Sequence, residues 1–118
     1  MIFIPGNVPS SKNSRVWTGK FFVVSKTVQN YYKATKQHWL ENKDVFLDLV
    51  HDQEPPYKVK FKFVRNSVRL FDYINPLQTV QDQMVQYGWI EDDNADFLLP
   101  KLLPYELDYE KSGVWISV

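Results

Sequence analysis

The segment Tyr57–Arg65 constrains the fold most, because its side chains alternate between polar and apolar types. Lysines fall on one face and apolar residues on the other: Lys58, Lys60 and Lys62 against Val59, Phe61 and Phe63. Successive side chains of a β-strand point to opposite faces, so this period of two predicts a strand with one buried face. Such a strand belongs to a sheet whose apolar face is covered by other elements.

Two segments with helical periodicity can provide that cover. Between Ser25 and Asn42, the packing residues recur at steps of three and four: Val28, Tyr31 or Tyr32, Thr35 and Trp39. Ser25 occupies the position expected of an N-cap. A second helix is predicted from about residue 76 to 87, and its core stripe consists of Leu77, Val80 and Met84.

Shorter strands are predicted at residues 1–5, in a hairpin that turns at Gly19, near 97–103 and at 113–118. Residues 44–50 fit a helical turn or two. Strands and helices do not alternate as regular βαβ units. The predicted fold class is therefore α+β, with a mixed or antiparallel sheet and two main helices in a single domain spanning residues 1–118.

Composition excludes several classes of function. The 118 residues include no cysteine, which excludes a disulfide framework, thiolate zinc sites and cysteine nucleophiles. No apolar run approaches the roughly 20 residues of a membrane span, and the start of the chain lacks a signal-peptide core. No Gly-rich phosphate loop is present, so no nucleotide cofactor is expected. We expect a cytoplasmic protein without a membrane partner.

Charge is segregated along the chain although its formal net value is zero. Residues 1–43 carry seven basic residues and one acidic residue, and residues 44–118 carry seven basic and thirteen acidic residues. A basic arm beside an acidic pocket suits a polyanion such as nucleic acid. The alternative interpretation is a solvated surface whose charges are segregated only in sequence.

The acidic residues cluster around the second predicted helix. Asp72 precedes it, Asp82 lies within it, and the run Glu91-Asp92-Asp93-Asn94 follows its expected end at Gly88. If the segment after the helix folds back, these carboxylates meet, and their mutual repulsion then implies either a bound cation, with Mg²⁺ or Mn²⁺ as the natural choice, or raised pKa values. The alternative is purely structural: a solvated turn at 91–94 and Asp82 on an exposed helix face.

Asn75-Pro76-Leu77-Gln78 also has a structural interpretation. The sequence has the form of a capping box, with Asn75 as N-cap, Pro76 as the first helical residue and Gln78 bonding back to the cap. This interpretation starts the helix at Pro76.

Taken together, these motifs resemble the RusA-type Holliday junction resolvases. The family pattern of Asp-x-Asp-Asn, a Lys, a helix Asp, Gly-aromatic and Asp-Asp aligns without gaps from Asp72 to Asp93. The openings Ile4-Pro5-Gly6 and Lys12-Asn13-Ser14-Arg15 are also similar to the family's start. The resemblance covers roughly residues 2–97. It implies a homodimeric phage-type endonuclease that uses Mg²⁺ or Mn²⁺ to hydrolyse phosphodiesters of four-way or branched DNA.

The resemblance also assigns roles, with two departures. Ile74 stands in place of the family's second Asp, and Gln78 stands in place of its Lys. The expected residues fall into four groups: metal ligands Asp72, Asp93 and Asp92; catalytic residues Asp72, Asp93 and Asp82; DNA-binding residues Lys12, Asn13, Arg15, Lys20 and Lys26; and matching positions Asn75 and Gln78. Asp82 is the hypothetical source of the missing charge.

Because of these departures, two other functions remain open. A branched-DNA-binding protein of the same fold that has lost or weakened cleavage would keep junction affinity without metal-dependent nicking. A protein interaction module that uses the many aromatic residues would show no DNA affinity at low salt.

Overall fold

The alternating segment forms the central strand in the computed structural model, which describes residues 1–10, 15–20 and 22–118. The elements in chain order are β1 (Ile2–Pro5), β2 (Arg15–Trp17), β3 (Phe22–Val24), α1 (Lys26–Glu41), α2 (Lys43–Leu49), β4 (Tyr57–Arg65), α3 (Ile74–Gln86), β5 (Leu98–Leu102), β6 (Glu106–Leu107) and β7 (Gly113–Ser117). The α+β prediction is confirmed.

The main sheet is mixed, with strand order β1-β7-β4-β5 and with β6 pairing β4 beyond β5. Strand β7 lies antiparallel to both β1 and β4, whereas β5 and β6 run parallel to β4. The hairpin of β2 and β3 forms a separate antiparallel pair, and Gly19 in its turn has a φ of 94°. A positive φ is easily adopted only by glycine, as the hairpin prediction required.

The helices cover one face of the sheet. The inward residues Val59, Phe61 and Phe63 of β4 are at most 1% exposed, and Ile2 and Ile116 lie in the same core. The predicted stripe of α1 is buried as expected. Its N-cap is Ser25, whose Oγ accepts a hydrogen bond from the backbone N–H of Val28 at 3.4 Å.

The predicted start of the second helix is wrong. Helix α3 begins at Ile74, and Tyr73, which precedes it, already has helical dihedral angles and makes no side-chain cap. Asn75 therefore lies inside the first turn, and the side chain of Gln78 bonds elsewhere. The rest of the prediction is confirmed, because Leu77, Val80 and Met84 are buried and Gly88 follows the helix with a φ of 75°.

None of the described helices combines the length and apolar character that a membrane crossing requires.

Candidate functional site

A polar stripe on α3 builds the centre of the site. Asn75, Gln78 and Asp82 follow one another at steps of three and four residues, so they share one face of the helix. The side-chain amide of Gln78 donates from Nε2 to Asp82 Oδ1 at 2.7 Å and to Asp93 Oδ2 at 2.9 Å. One amide group thus joins a carboxylate of the helix to a carboxylate of the segment that follows it.

The bridge affects the protonation of Asp82. Burial raises the pKa of the Asp82 carboxyl, the hydrogen bond from Gln78 lowers that pKa, and the nearby charge of Asp93 raises it; the net result lies above the ordinary value. Desolvation and a like charge both disfavour the ionised form of a carboxyl group. Asp82 therefore holds its proton to a higher pH than an exposed aspartate does.

Buried aromatic residues place the segment that follows α3. The indole of Trp89 stacks on Phe46 with ring centroids 5.0 Å apart and contacts Trp39 at the same separation. Its Nε1 donates to the carbonyl oxygen of Trp39 at 2.9 Å. Trp39 is fixed in turn, because its own Nε1 donates to Thr35 Oγ1 at 3.2 Å. The acidic run starts two residues after Trp89 and is therefore anchored to α1.

Within the acidic run, the two neighbouring aspartates do different things. Asp92 is exposed, and its two oxygens accept from the Asp93 backbone N–H at 2.8 Å and from Asn94 Nδ2 at 3.0 Å. The hydrogen bond from the Asp93 backbone is the main cause that lowers the pKa of Asp92. Asp93 is half-buried and contacts Gln78. Asp92 therefore stabilises the turn, while Asp93 faces the helix.

Asp72 lies at the other end of the stripe. It is exposed, two residues before α3, and lines a cavity of about 490 Å³ with Leu70, Phe71 and Asn75. Because an α-helix rises 1.5 Å per residue, Gln78 lies about 6 Å along the helix axis from Ile74, the first residue of α3. The structure joins Asp82 and Asp93 through the amide of Gln78, and Asp72 takes no part in these two hydrogen bonds. Ile74, at the position of the family's second Asp, is 64% exposed.

The bridged carboxylates suit a hard divalent cation. Mg²⁺ in proteins is held by one or two carboxylates, with water and phosphate oxygens completing its shell. Asp82 and Asp93 supply the two carboxylates, and rotation of the Gln78 amide by half a turn presents an oxygen in place of its donor nitrogen. Across the described residues, no three acidic or histidine side chains are grouped closely enough to form a metal site by themselves. A cation held by these two carboxylates would therefore need water and substrate oxygens for the rest of its shell.

The expected DNA-binding residues are only partly described. Lys12 and Asn13 fall outside the described residues, and Arg15 is described only as the first residue of β2. Lys20 is exposed beside the hairpin turn, and Lys26 is exposed in the first turn of α1. These two side chains are accessible to a polyanion.

Two features were missed from sequence. The contact between Gln78 and Asp93 has no local signature, because the residues lie 15 positions apart. A second cavity holds Arg65, which was predicted only as the end of a strand, and Arg69, which no sequence motif indicated.

The chain matches no protein-family model and no curated protein. The resemblance to the RusA-type resolvases therefore stays a prediction from the quoted motifs.

Proposed function

We propose that this protein is a structure-specific endodeoxyribonuclease that hydrolyses phosphodiesters of four-way or branched DNA with Mg²⁺ or Mn²⁺, acting as a homodimer. The observation that carries the proposal is the pair of hydrogen bonds from Gln78 to Asp82 and Asp93. It brings an acid of α3 together with an acid of the segment that follows the helix, and neighbouring carboxylates are what a metal-dependent nuclease site would need. A cytoplasmic, DNA-associated location belongs to the same proposal.

Each side chain has a role in this proposal. Asp93 and Asp82 hold the cation. Before the cation binds, Gln78 keeps the two carboxylates close together through its hydrogen bonds. Asp72 remains a candidate ligand through the resemblance. When bound, the cation supplies positive charge at the phosphate and a more acidic water. The pKa of Asp82 is raised before the cation binds, so a proton competes with the cation for this carboxylate at low pH.

Contacts to the phosphate backbone come from the basic residues of the N-terminal region. Lys20 and Lys26 are exposed, and Lys12, Asn13 and Arg15 belong to the same proposed set. Because such contacts release counterions, we expect junction affinity to fall steeply with salt and to depend little on base sequence.

One observation favours a second function, which is binding of branched DNA without cleavage. The Gln78 amide donates to both carboxylates and so satisfies them without a cation. A lysine at this position would carry a full positive charge, which glutamine lacks.

A single cleavage assay separates the two functions. A labelled four-way junction is incubated with the wild type, Asp93→Asn, Asp82→Asn and the matched control Asp96→Asn, each with Mg²⁺, Mn²⁺ or a chelator. Asp96 is an exposed aspartate in the same turn, and its backbone N–H bonds Asn94 Oδ1. The control therefore tests the same chemical change outside the site.

If the protein is an endonuclease, we expect symmetric nicks that require metal, disappear in Asp93→Asn and persist in Asp96→Asn. The rate loss expected for Asp93→Asn is at least about a hundredfold, as for removal of a group that stabilises the transition state. Junction binding without nicks in any metal would support the binding protein instead. Absence of both binding and nicks at low salt would refute both functions.

A further inference from the structure

A second polar cavity lies at the N-terminal end of α3, away from the bridged aspartates. It has a volume of about 510 Å³ and lies between the loop 7–10, the segment 65–71 and the first turn of the helix. Two arginines and three asparagines are among its lining residues, and no lining residue is acidic. A cavity with this composition is complementary to an anion.

The two arginines lack compensating charge. Among the described residues, Lys62 and Glu106 form an ion pair, and neither Arg65 nor Arg69 takes part in one. Burial is the main cause that lowers the pKa of the Arg65 guanidinium; Tyr105 raises this pKa, and the like charge of Arg69 lowers it. Two neighbouring cations, one of them partly desolvated, favour binding of a group with negative charge.

The guanidinium of Arg65 is held in place before any ligand arrives. It lies over the ring of Phe71, with Cζ 4.1 Å from the ring centroid. Its Nε is buried and has no hydrogen-bond partner among the described residues. The planar guanidinium can offer its terminal N–H groups to two oxygens at once, which is how arginine recognises phosphate.

The loop 7–10, which also lines the cavity, is held in place by hydrogen bonds. Thr79 Oγ1 donates to the carbonyl oxygen of Pro9 at 2.7 Å, and this bond ties the loop 7–10 to α3. Asn7 Oδ1 accepts from the Asn66 backbone N–H at 3.2 Å, so the donors that Asn7 offers are those of its NH₂ group. A rigid donor set loses little entropy when it binds an oxyanion.

From this arrangement we infer a phosphate-binding subsite at Arg65, Arg69 and Asn7. The ligand is a phosphodiester of the DNA backbone, and this choice of source rests on the proposed function. Asn75 lines both this cavity and the smaller one that contains Asp72. A phosphate bound here therefore lies beside the start of α3, and it holds the strand next to the helix that carries Asp82.

The test uses the full chain with two probes. The first probe is inorganic phosphate, added at constant ionic strength against sodium chloride and followed by the backbone amide resonances. The second is a four-way junction, whose affinity is measured over a range of salt concentrations. The variants are Arg69→Gln, Arg65→Lys and the control Lys101→Gln, which removes an exposed cation of β5. Thermal melts show whether each variant is folded.

We expect phosphate to cause saturable shifts of the backbone amides at residues 7, 8, 10 and 65–70. Arg69→Gln should weaken phosphate affinity at least about tenfold, because hydrogen bonds to charged groups contribute at least that factor. Arg65→Lys keeps the charge and the fold but loses the planar donors, so it also weakens phosphate binding. With the junction, Arg69→Gln reduces the magnitude of the slope of log affinity against log salt concentration by about 1, because one phosphate contact is lost. Lys101→Gln leaves the phosphate shifts unchanged.

Two outcomes separate this subsite from the nuclease itself. If phosphate causes no saturable shift and Arg69→Gln binds and cuts the junction normally, the subsite is refuted while the proposed function stands. If phosphate binds the cavity and the wild type neither binds nor cuts the junction, the oxyanion site stands and its assignment to DNA is refuted.

Discussion

At the scale of single residues, Gln78 has the largest influence on the candidate site. Its one NH₂ group satisfies two carboxylates that would otherwise repel each other. A hydrogen bond to a charged group contributes about 1.5–3 kcal/mol, so the amide offsets part of that repulsion without adding a charge. Burial is the largest influence on the Asp82 carboxyl, so its pKa stays raised even though Gln78 donates a hydrogen bond to it.

The raised pKa of Asp82 predicts a pH-dependent change in stability. A carboxyl group whose pKa is higher in the folded chain binds more protons in the folded state, so stability falls as pH rises from 3.8 through the raised pKa. Asp82→Asn removes this loss and keeps an oxygen that can accept from Gln78. We expect the variant to be more stable than the wild type near neutral pH, by less than about 1 kcal/mol because solvent screens a half-exposed group.

Urea denaturation of both proteins at neutral pH and below pH 3.8 measures this difference. The two curves should converge at the acidic pH, where both side chains are neutral. Asp96→Asn makes the same chemical change at an exposed aspartate outside the bridge and serves as the control. A variant Asp82→Asn that is less stable than the wild type at neutral pH would contradict the explanation.

Residue roles were the hardest to predict from sequence. Asn75 and Gln78 matched a capping box, which is a local pattern, yet the helix begins earlier and Gln78 bonds a residue 15 positions away. A tertiary partner competes with the cap, and no local rule reveals that partner. Asp82 and Asp93 are brought together through Gln78, whereas the expected meeting of Asp72 with Asp93 stays a prediction.

At the scale of elements, periodicity gave the correct type of the long segments and the extent of β4 and α1, whereas α3 starts earlier than predicted. The alternation of β4 and the stripe of α1 each report burial on one face. The predicted bounds of α1 differ from the observed bounds by one residue at each end, and those of β4 are the same. The short strand β6 was missed, because two residues carry no period. The parallel pairing of β5 with β4 was also not specified, since a strand pattern does not encode the direction of its neighbour.

Trp89 connects the elements to the site, which gives a second prediction. Trp89→Phe keeps an aromatic ring in the cluster but removes the hydrogen bond to the Trp39 carbonyl. We expect it to lower the free energy of unfolding by about 1–3 kcal/mol, because the buried acceptor loses this donor and the smaller ring leaves space. It should also increase the mobility of the acidic run at residues 91–94, as measured by NMR relaxation.

The matched control is Trp115→Phe. Trp115 is only half-buried and packs against Phe3, with ring centroids 4.7 Å apart. Denaturation midpoints of the two variants are compared with the wild type. An equal loss in both, or a larger loss for Trp115→Phe, would show that Trp89 is not the anchor of the segment.

At the scale of the whole molecule, α3 has two chemically distinct surroundings. Near its first turn lies the cavity with Arg65 and Arg69, and midway along it lies the acidic bridge at Gln78. Segregation of charge in sequence predicted a basic and an acidic region. It did not predict that arginines from the acidic half of the chain would line their own cavity beside the same helix.

Cation binding at the bridge is the step on which the proposed nuclease depends, and Mn²⁺ tests it most directly. Substoichiometric Mn²⁺ is added to the isotope-labelled protein, because the unpaired electrons broaden the resonances of nearby nuclei. We predict that Gln78, Asp82 and Asp93 broaden first, that Asp93→Asn abolishes this effect and that Asp96→Asn retains it. Broadening that centres elsewhere, or that survives Asp93→Asn, would contradict the proposed metal site.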